Sequence, residues 1–200
     1  MKNILFDLGG VVIDIDINKT LNKLSQLLDN KVDDYKELMN NPIFKKYEIG
    51  QISSDEFLNE LHKLSDFKAS KDNFADAWNS MIIKVPTNRI KLIEEIRKNK
   101  KLYVLSNTNE LHVNHFNKMI PGYDNLDKLF EKVYYSHEIG YRKPKKESFE
   151  YIINDSKIIA NETLFLDDNE DNIITAKNLG FKTYQIKDDE DLANLHHLFI

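Results

Sequence analysis

The 200-residue chain contains no cysteine. That excludes disulfides and thiolate chemistry, and it is compatible with a reducing compartment. No apolar run approaches the roughly 20 residues needed to cross a bilayer, so no membrane role is expected. A single lysine precedes the first apolar run, which does not match the layout of a signal peptide. Nor is there an excess of positive charge: the formal net charge is −5. Nucleic acids and anionic membrane surfaces are therefore not the expected partners. Internal repeats and low-complexity segments are also lacking. What is present is an ordinary balance, 41% hydrophobic and 30% charged, on a length that suits one α/β core with a small insert or two small domains. A soluble cytoplasmic protein is the expectation.

The stretch that organises the chain is Ile4-Leu5-Phe6-Asp7-Leu8-Gly9-Gly10-Val11-Val12. A short continuous apolar run reads as a buried parallel strand, and open α/β sheets bind ligands beyond the carboxyl ends of their strands. Asp7 is delivered at such an end. Gly9 and Gly10 permit positive φ and leave backbone open to a ligand. On this stretch alone Asp7 is a nucleophile, a metal ligand or a turn residue.

Downstream, Leu21, Leu24, Leu27 and Leu28 recur at helical spacing. Ser53 and Glu56 form a capping box ahead of Phe57, Leu61 and Leu64, and Ser70 opens a helix carrying Phe74, Ala77, Trp78 and Met81. No strand is predicted before about Leu102. Residues 17–85 therefore read as a helical insert, with residues 1–16 and 86–200 forming the α/β core. In the core, Ile90, Ile93 and Ile96 mark a helix whose basic end, Arg97 to Lys101, is solvated. Strands are predicted at Leu102–Leu105, Lys132–Tyr135, Thr163–Leu166 and Lys182–Ile186, with helices between them. Alternation of this kind gives a doubly wound parallel sheet. Asp7, Ser106 and the Asp167-Asp168 pair each follow a strand directly, and Lys143 lies in the loop after another. Together they converge on one sheet edge.

Carboxylates gathered with a lysine and a hydroxyl suit phosphoryl chemistry. The carboxylates hold a hard cation such as Mg²⁺, and the lysine and serine bind phosphoryl oxygens. A carboxylate can also attack phosphorus and form an aspartyl-phosphate. Phe6-Asp7-Leu8-Gly9-Gly10-Val11, Leu105-Ser106-Asn107-Thr108, Arg142-Lys143-Pro144 and Leu166-Asp167-Asp168-Asn169 resemble, in order, the four motifs of the haloacid dehalogenase superfamily. The insert resembles that superfamily's small helical cap. The nearest likeness is to its sugar-phosphate phosphatases, including the α-D-glucose-1-phosphate phosphatase type. The resemblance implies a Rossmann-like core and a hydrolase acting on a small phosphorylated substrate. It further implies Asp7 as nucleophile and Mg²⁺ ligand, the Gly9 carbonyl and Asp168 as further metal ligands, Ser106 and Asn107 on the phosphoryl oxygens, and Lys143 bridging Asp7 and phosphate. Asp167 or Asp171 would orient the metal site.

One position departs from the pattern. Most phosphatases of the superfamily carry a second Asp two residues after the nucleophile, where this chain has Gly9. Losing a general acid or base typically lowers rates by about 10²–10⁴. Three readings follow: a phosphatase for esters with less basic leaving groups, a metal-independent 2-haloacid dehalogenase, or a non-catalytic phospho-ligand or protein-binding module. The Asp167-Asp168 pair speaks against the second, and retention of Asp7, Lys143 and Asp168 against the third. Asp14 and Asp16 are expected to cap the first insert helix or sit at its hinge. His112 and His115 are expected to be ordinary core or surface residues, and Asn107 doubles as a potential cap for the next helix.

Overall fold

The computed structural model describes residues 1–28, 40–187 and 189–199. Its strands, in chain order, are β1 (Asn3–Phe6), β2 (Asp14–Ile15), β3 (Ile82–Lys84), β4 (Lys101–Ser106), β5 (Lys132–Tyr135), β6 (Thr163–Asp167) and β7 (Lys182–Gln185). Five of them form one parallel sheet in the order β5-β4-β1-β6-β7. β1 is central because both of its edges are used: Phe6 stands beside Val104 on one side and Leu166 on the other. Successive side chains of a strand point to opposite faces. Ile4 and Phe6 accordingly pack with Val104, Leu166, Ile93 and Phe116. Leu5 packs on the other face with Leu105, Phe165, Phe149 and Ile152. The helices of the core are α5 (Thr87–Ile96), α6 (Glu110–Phe116), α7 (Ser136–Ile139), α8 (Lys146–Ser156) and α9 (Glu170–Asn178), following α1–α4 of the insert. Chain order runs outward from β1 through β4 and β5, then returns to β6 on its far side. That reversal is where open α/β sheets bind ligands.

The insert contributes α1 (Ile17–Leu27), α2 (Pro42–Glu48), α3 (Ser54–Leu64) and α4 (Lys71–Asn79). Each starts on a polar cap, and the Ser53–Glu56 box forms as predicted, joined by a second box between Ser70 and Asn73. Asp16 caps α1 through Asn18 N–H at 3.0 Å. Leu24, Phe44, Phe57, Leu61, Phe74 and Trp78 make a separate apolar cluster. Within it the rings of Tyr47 and Phe57 stack at 4.2 Å, and Phe44 meets Trp78 at 5.3 Å. The aromatic stripe read from the sequence is thus packing.

The structure corrects one expectation. Strand does precede Leu102: β3 pairs antiparallel with β2, so the insert leaves and re-enters the core through a two-stranded ribbon. Strands of two and three residues are too short to leave a periodic trace in the sequence.

The insert is gripped by α6. The Trp78 indole N–H donates to Asn109 Oδ1 at 3.2 Å, and the His112 Nε2–H donates to the Trp78 carbonyl at 3.0 Å. Asn109 Nδ2 reaches His112 Nδ1 at 3.1 Å, and the imidazole stacks on the indole at 5.0 Å. Burial lowers the His112 pKa to about 4 and keeps the ring neutral. Both ring nitrogens are engaged, so His112 is a core residue, as the sequence suggests. Among the described residues no helix is long and apolar enough to cross a membrane.

Candidate active site

Asp7 continues the β1 ladder, donating its N–H to the Leu166 carbonyl at 2.9 Å. The chain then tightens into a turn in which the N–H groups of Val12 and Ile13 both reach the Leu8 carbonyl at 2.8 Å. Leu8, Val11, Val12 and Ile13 are buried and anchor the turn from below. The glycines are what the turn leaves toward a ligand. Gly10 has φ +74°, and a Cβ there would lie 2.5 Å from Asp168 Oδ2. Only glycine allows both that backbone conformation and that approach. Gly10→Ala is expected to weaken divalent-cation binding by displacing Asp168, about tenfold or more on the scale of a disturbed metal site. Calorimetric titration with Mg²⁺ measures it.

Lys143 is the cation of the site, with its side chain 1% exposed. Its Nζ lies 2.8 Å from Asp7 Oδ1 and 2.5 Å from Asp167 Oδ2, and 5.4 Å from the centre of the Phe165 ring. Asp167 is fully buried and its oxygens are further occupied. Asn172 Nδ2 donates to Oδ1 and Oδ2 at 2.9 and 3.0 Å, and the Asn169 N–H donates to Oδ1 at 2.9 Å. Asp167 therefore fixes the ammonium rather than offering a free oxygen. Burial alone would lower the Lys143 pKa, but Asp167 and then Asp7 outweigh it and the net shift is upward. The Asp7 carboxyl also stands above its ordinary value. Burial raises its pKa from 3.8 to about 7; Lys143 opposes this, while the charges of Asp167 and Asp168 add to it.

Ser106 ends β4 and is buried on the same sheet edge. Asn107 is not the cap of α6; Asn109 is, accepting from the His112 N–H at 3.1 Å. The Asn107 amide instead pins the lysine loop, with Nδ2 donating to the Lys143 carbonyl and Oδ1 accepting from the Lys143 N–H, both at 2.8 Å. At Gly9 a Cβ would stand 3.0 Å from Ile15 Cδ1, a tight contact with the tip of a side chain of the flanking ribbon. A cavity of about 70 Å³ runs from Gly9, Ser106 and Asn107 to Ile15, Ile82 and His112, and a polar cleft of about 650 Å³ opens beside Asp168 and Gly10. Asp14 pairs with Arg89 at 2.8 Å and Asp16 caps α1, so both carry the structural roles expected of them. Asp171 lies exposed in the first turn of α9, outside the cluster.

Asp7, Asp167 and Asp168 can each bring an oxygen within 4.8 Å of the others, the one such group among the described residues. All-oxygen donors suit Mg²⁺. With Asp167 committed to Lys143, the residues that fit such an ion are Asp7 and Asp168. Sequence reading missed Asn172, which holds Asp167, and Asn109, which holds the insert. An Asn inside a helix, where it is a poor helix former, was the available signal for Asn172.

The chain is similar to known proteins over nearly its whole length. The family model for haloacid dehalogenase-like hydrolases matches residues 1–180. The chain is 34% identical over 199 residues to a D-ribitol-5-phosphate phosphatase of Bacteroides thetaiotaomicron, covering 96% of this chain and 94% of that one. A crystal structure of a haloacid dehalogenase family enzyme from Bacteroides thetaiotaomicron, in complex with magnesium and inorganic phosphate, superposes with a TM-score of 0.89 at 32% identity, covering 98% of each chain. A predicted hydrolase of the same type from Porphyromonas gingivalis gives 0.88 at 30% identity, covering 99% of this chain and 97% of that one.

Proposed function

The chain belongs to the haloacid dehalogenase-like hydrolases, and from that premise we propose that it is a Mg²⁺-dependent phosphatase of a sugar or polyol phosphate, working through a phosphorylated Asp7. The observation that carries the reading is the Asp7–Lys143–Asp167 arrangement at the end of the central strand, with Asp168 beside Gly10. Likeness to a D-ribitol-5-phosphate phosphatase and to an enzyme that binds magnesium and inorganic phosphate supports it. In this reading residues 17–85 are a cap and residues 1–16 with 86–200 the core, a division supported by the insert's separate apolar cluster. A cytoplasmic setting follows from a small phosphorylated metabolite as substrate.

Each residue has a distinct part in the reaction. Asp7 Oδ attacks phosphorus as the ester P–O bond breaks, and the departing alkoxide takes a proton from water, because Gly9 has none to give. Water then attacks the phosphorus of the acyl phosphate, releasing inorganic phosphate and restoring the Asp7 carboxylate. Lys143 offsets the repulsion between Asp7 and the phosphoryl oxygens and stays protonated throughout. Ser106 and the Asn107 backbone contact those oxygens, while the Asn107 amide keeps the Lys143 loop in place. Asp7, Asp168 and the Gly9 carbonyl would hold Mg²⁺, which neutralises phosphoryl charge when bound.

The test is phosphate release from ribitol 5-phosphate, glucose 1-phosphate and glucose 6-phosphate, with Mg²⁺ or with EDTA. Metal-dependent release from at least one is expected. Absence of release from all three, with the protein folded, would instead favour a binding module.

A further inference from the structure

A polar residue stands at the carboxyl end of every strand of the parallel sheet, not only the inner ones. Asp7, Ser106 and the Asp167-Asp168 pair close β1, β4 and β6, and each has a part in the proposed reaction. The outer strands end the same way: Ser136 directly follows β5, and Gln185 is the last residue of β7. The reaction uses neither. Each of them instead hydrogen-bonds to the backbone of the loop that leaves the neighbouring inner strand.

Ser136 is fully buried. The β4–β5 ladder ends with Ser106 beside Tyr135. Beyond that point the Ser136 hydroxyl takes over the pairing, accepting from the Thr108 N–H at 3.0 Å. The same hydroxyl stands 2.6 Å from the Glu48 carbonyl of the insert and 3.0 Å from the Thr108 carbonyl, and donates toward them. Its bond to the Thr108 N–H fixes the peptide that joins Asn107 to Thr108. The Asn107 side chain meanwhile clamps the Lys143 peptide. The loop that offers Ser106 and the Asn107 backbone to phosphate is therefore held at two points.

Gln185 stands beside Asp167 in the β6–β7 ladder. Its Nε2 donates to the Asp168 carbonyl at 2.9 Å, and its Oε1 accepts from Lys187 Nζ at 2.9 Å. A carbonyl only accepts and an ammonium only donates, so one orientation of the amide serves both. Asp168 is exposed, and packing alone does little to hold it. Its carboxylate lies against Gly10, where a Cβ would come within 2.5 Å of Oδ2. Gln185 fixes the backbone of the same residue from the outer strand.

We propose that Ser136 and Gln185 are positioning residues with separate duties. Ser136 sets the phosphate-binding loop, and Gln185 sets the metal ligand Asp168. The assignment rests on the phosphatase reading and deepens it by dividing the support of phosphate and metal between the two outer strands.

Ser136→Ala and Gln185→Met remove the hydrogen bonds while nearly keeping the size of each side chain. Calorimetry then measures Mg²⁺ binding without phosphate, and inorganic phosphate binding at saturating Mg²⁺. Gln185→Met is expected to weaken Mg²⁺ binding about tenfold and to leave phosphate binding within about twofold of wild type. Ser136→Ala is expected to do the reverse, weakening phosphate about tenfold and leaving Mg²⁺ within about twofold. A purely structural role would lower the unfolding temperature without separating the two ligands. A variant that weakens both alike, weakens the wrong one or changes neither overturns the assignment for its strand. If Ser136→Ala does not fold, Ser136→Cys, which keeps a weak acceptor for the Thr108 N–H, carries the same comparison. Failure of the wild type to bind both Mg²⁺ and phosphate would instead remove the phosphatase reading itself, a result distinct from an unseparated loss.

Discussion

Asp7→Asn is expected to lower phosphate release by about 10³-fold or more, since an amide oxygen is a far weaker nucleophile than a carboxylate. The same substitution is expected to stabilise the metal-free protein at neutral pH. Burial holds the Asp7 carboxyl up to about 7 against an ordinary 3.8. Between those values the folded chain keeps a proton that the unfolded chain has released. The contribution of Asp7 to stability is therefore full below about 3.8 and is lost as pH rises through about 7. Asparagine is neutral at every pH and has no such loss. The advantage of the variant should grow from pH 5 to pH 8 by up to a few kcal/mol, since each tenfold difference in proton affinity between folded and unfolded chain is worth about 1.4 kcal/mol. Urea unfolding in EDTA at the two pH values measures it. An advantage that does not change with pH would mean that Asp7 is ionised across the range.

Lys143→Met is expected to damage both fold and activity. Lys143 is the cation that touches both Asp7 and Asp167, and it is almost wholly buried. Removing one member of a buried ion pair typically destabilises by about 3–5 kcal/mol, because the charge left behind stays desolvated. Here two carboxylates would face each other with no ammonium between them. Protonating one of them relieves this, so the loss should be smaller at pH 5 than at pH 8. Turnover should fall by about 10²–10³ or more at either pH, as a fixed positive charge on the phosphoryl group disappears. Retained turnover in a folded variant would remove Lys143 from the reaction. Thermal unfolding with parallel phosphate assays separates the two effects.

The sheet was legible because its inner strands β4, β1 and β6 are buried on both faces. Continuous apolar runs such as Leu102–Leu105 and Thr163–Leu166 admit few other readings, and the predicted ranges fall within a residue or two of the observed ones. The candidate residues were legible for a related reason. A polar residue that directly follows such a run stands at the sheet's carboxyl edge whatever the rest of the chain does. Contacts between distant segments left no such trace. The pairing of Asp14–Ile15 with Ile82–Lys84 depends on the helices of the insert bringing those segments together. The commitment of Asn107 to the Lys143 peptide depends on how two loops meet, and helix capping was a reasonable competing use for that side chain.

The two-stranded ribbon also bears on how the chain reaches this topology. β1 pairs in parallel with β4, whose partner residues come after the whole insert: Phe6 must find Val104. Bringing distant segments together costs more entropy the longer the intervening loop, and parallel pairings are slow for that reason. The ribbon sets Ile15 opposite Ile82. Any order of events in which the described helices of the insert assemble before the sheet thus reduces the search to the short stretches on either side of the ribbon. The insert would then also act as an internal scaffold, drawing β1 toward β4 during synthesis and refolding.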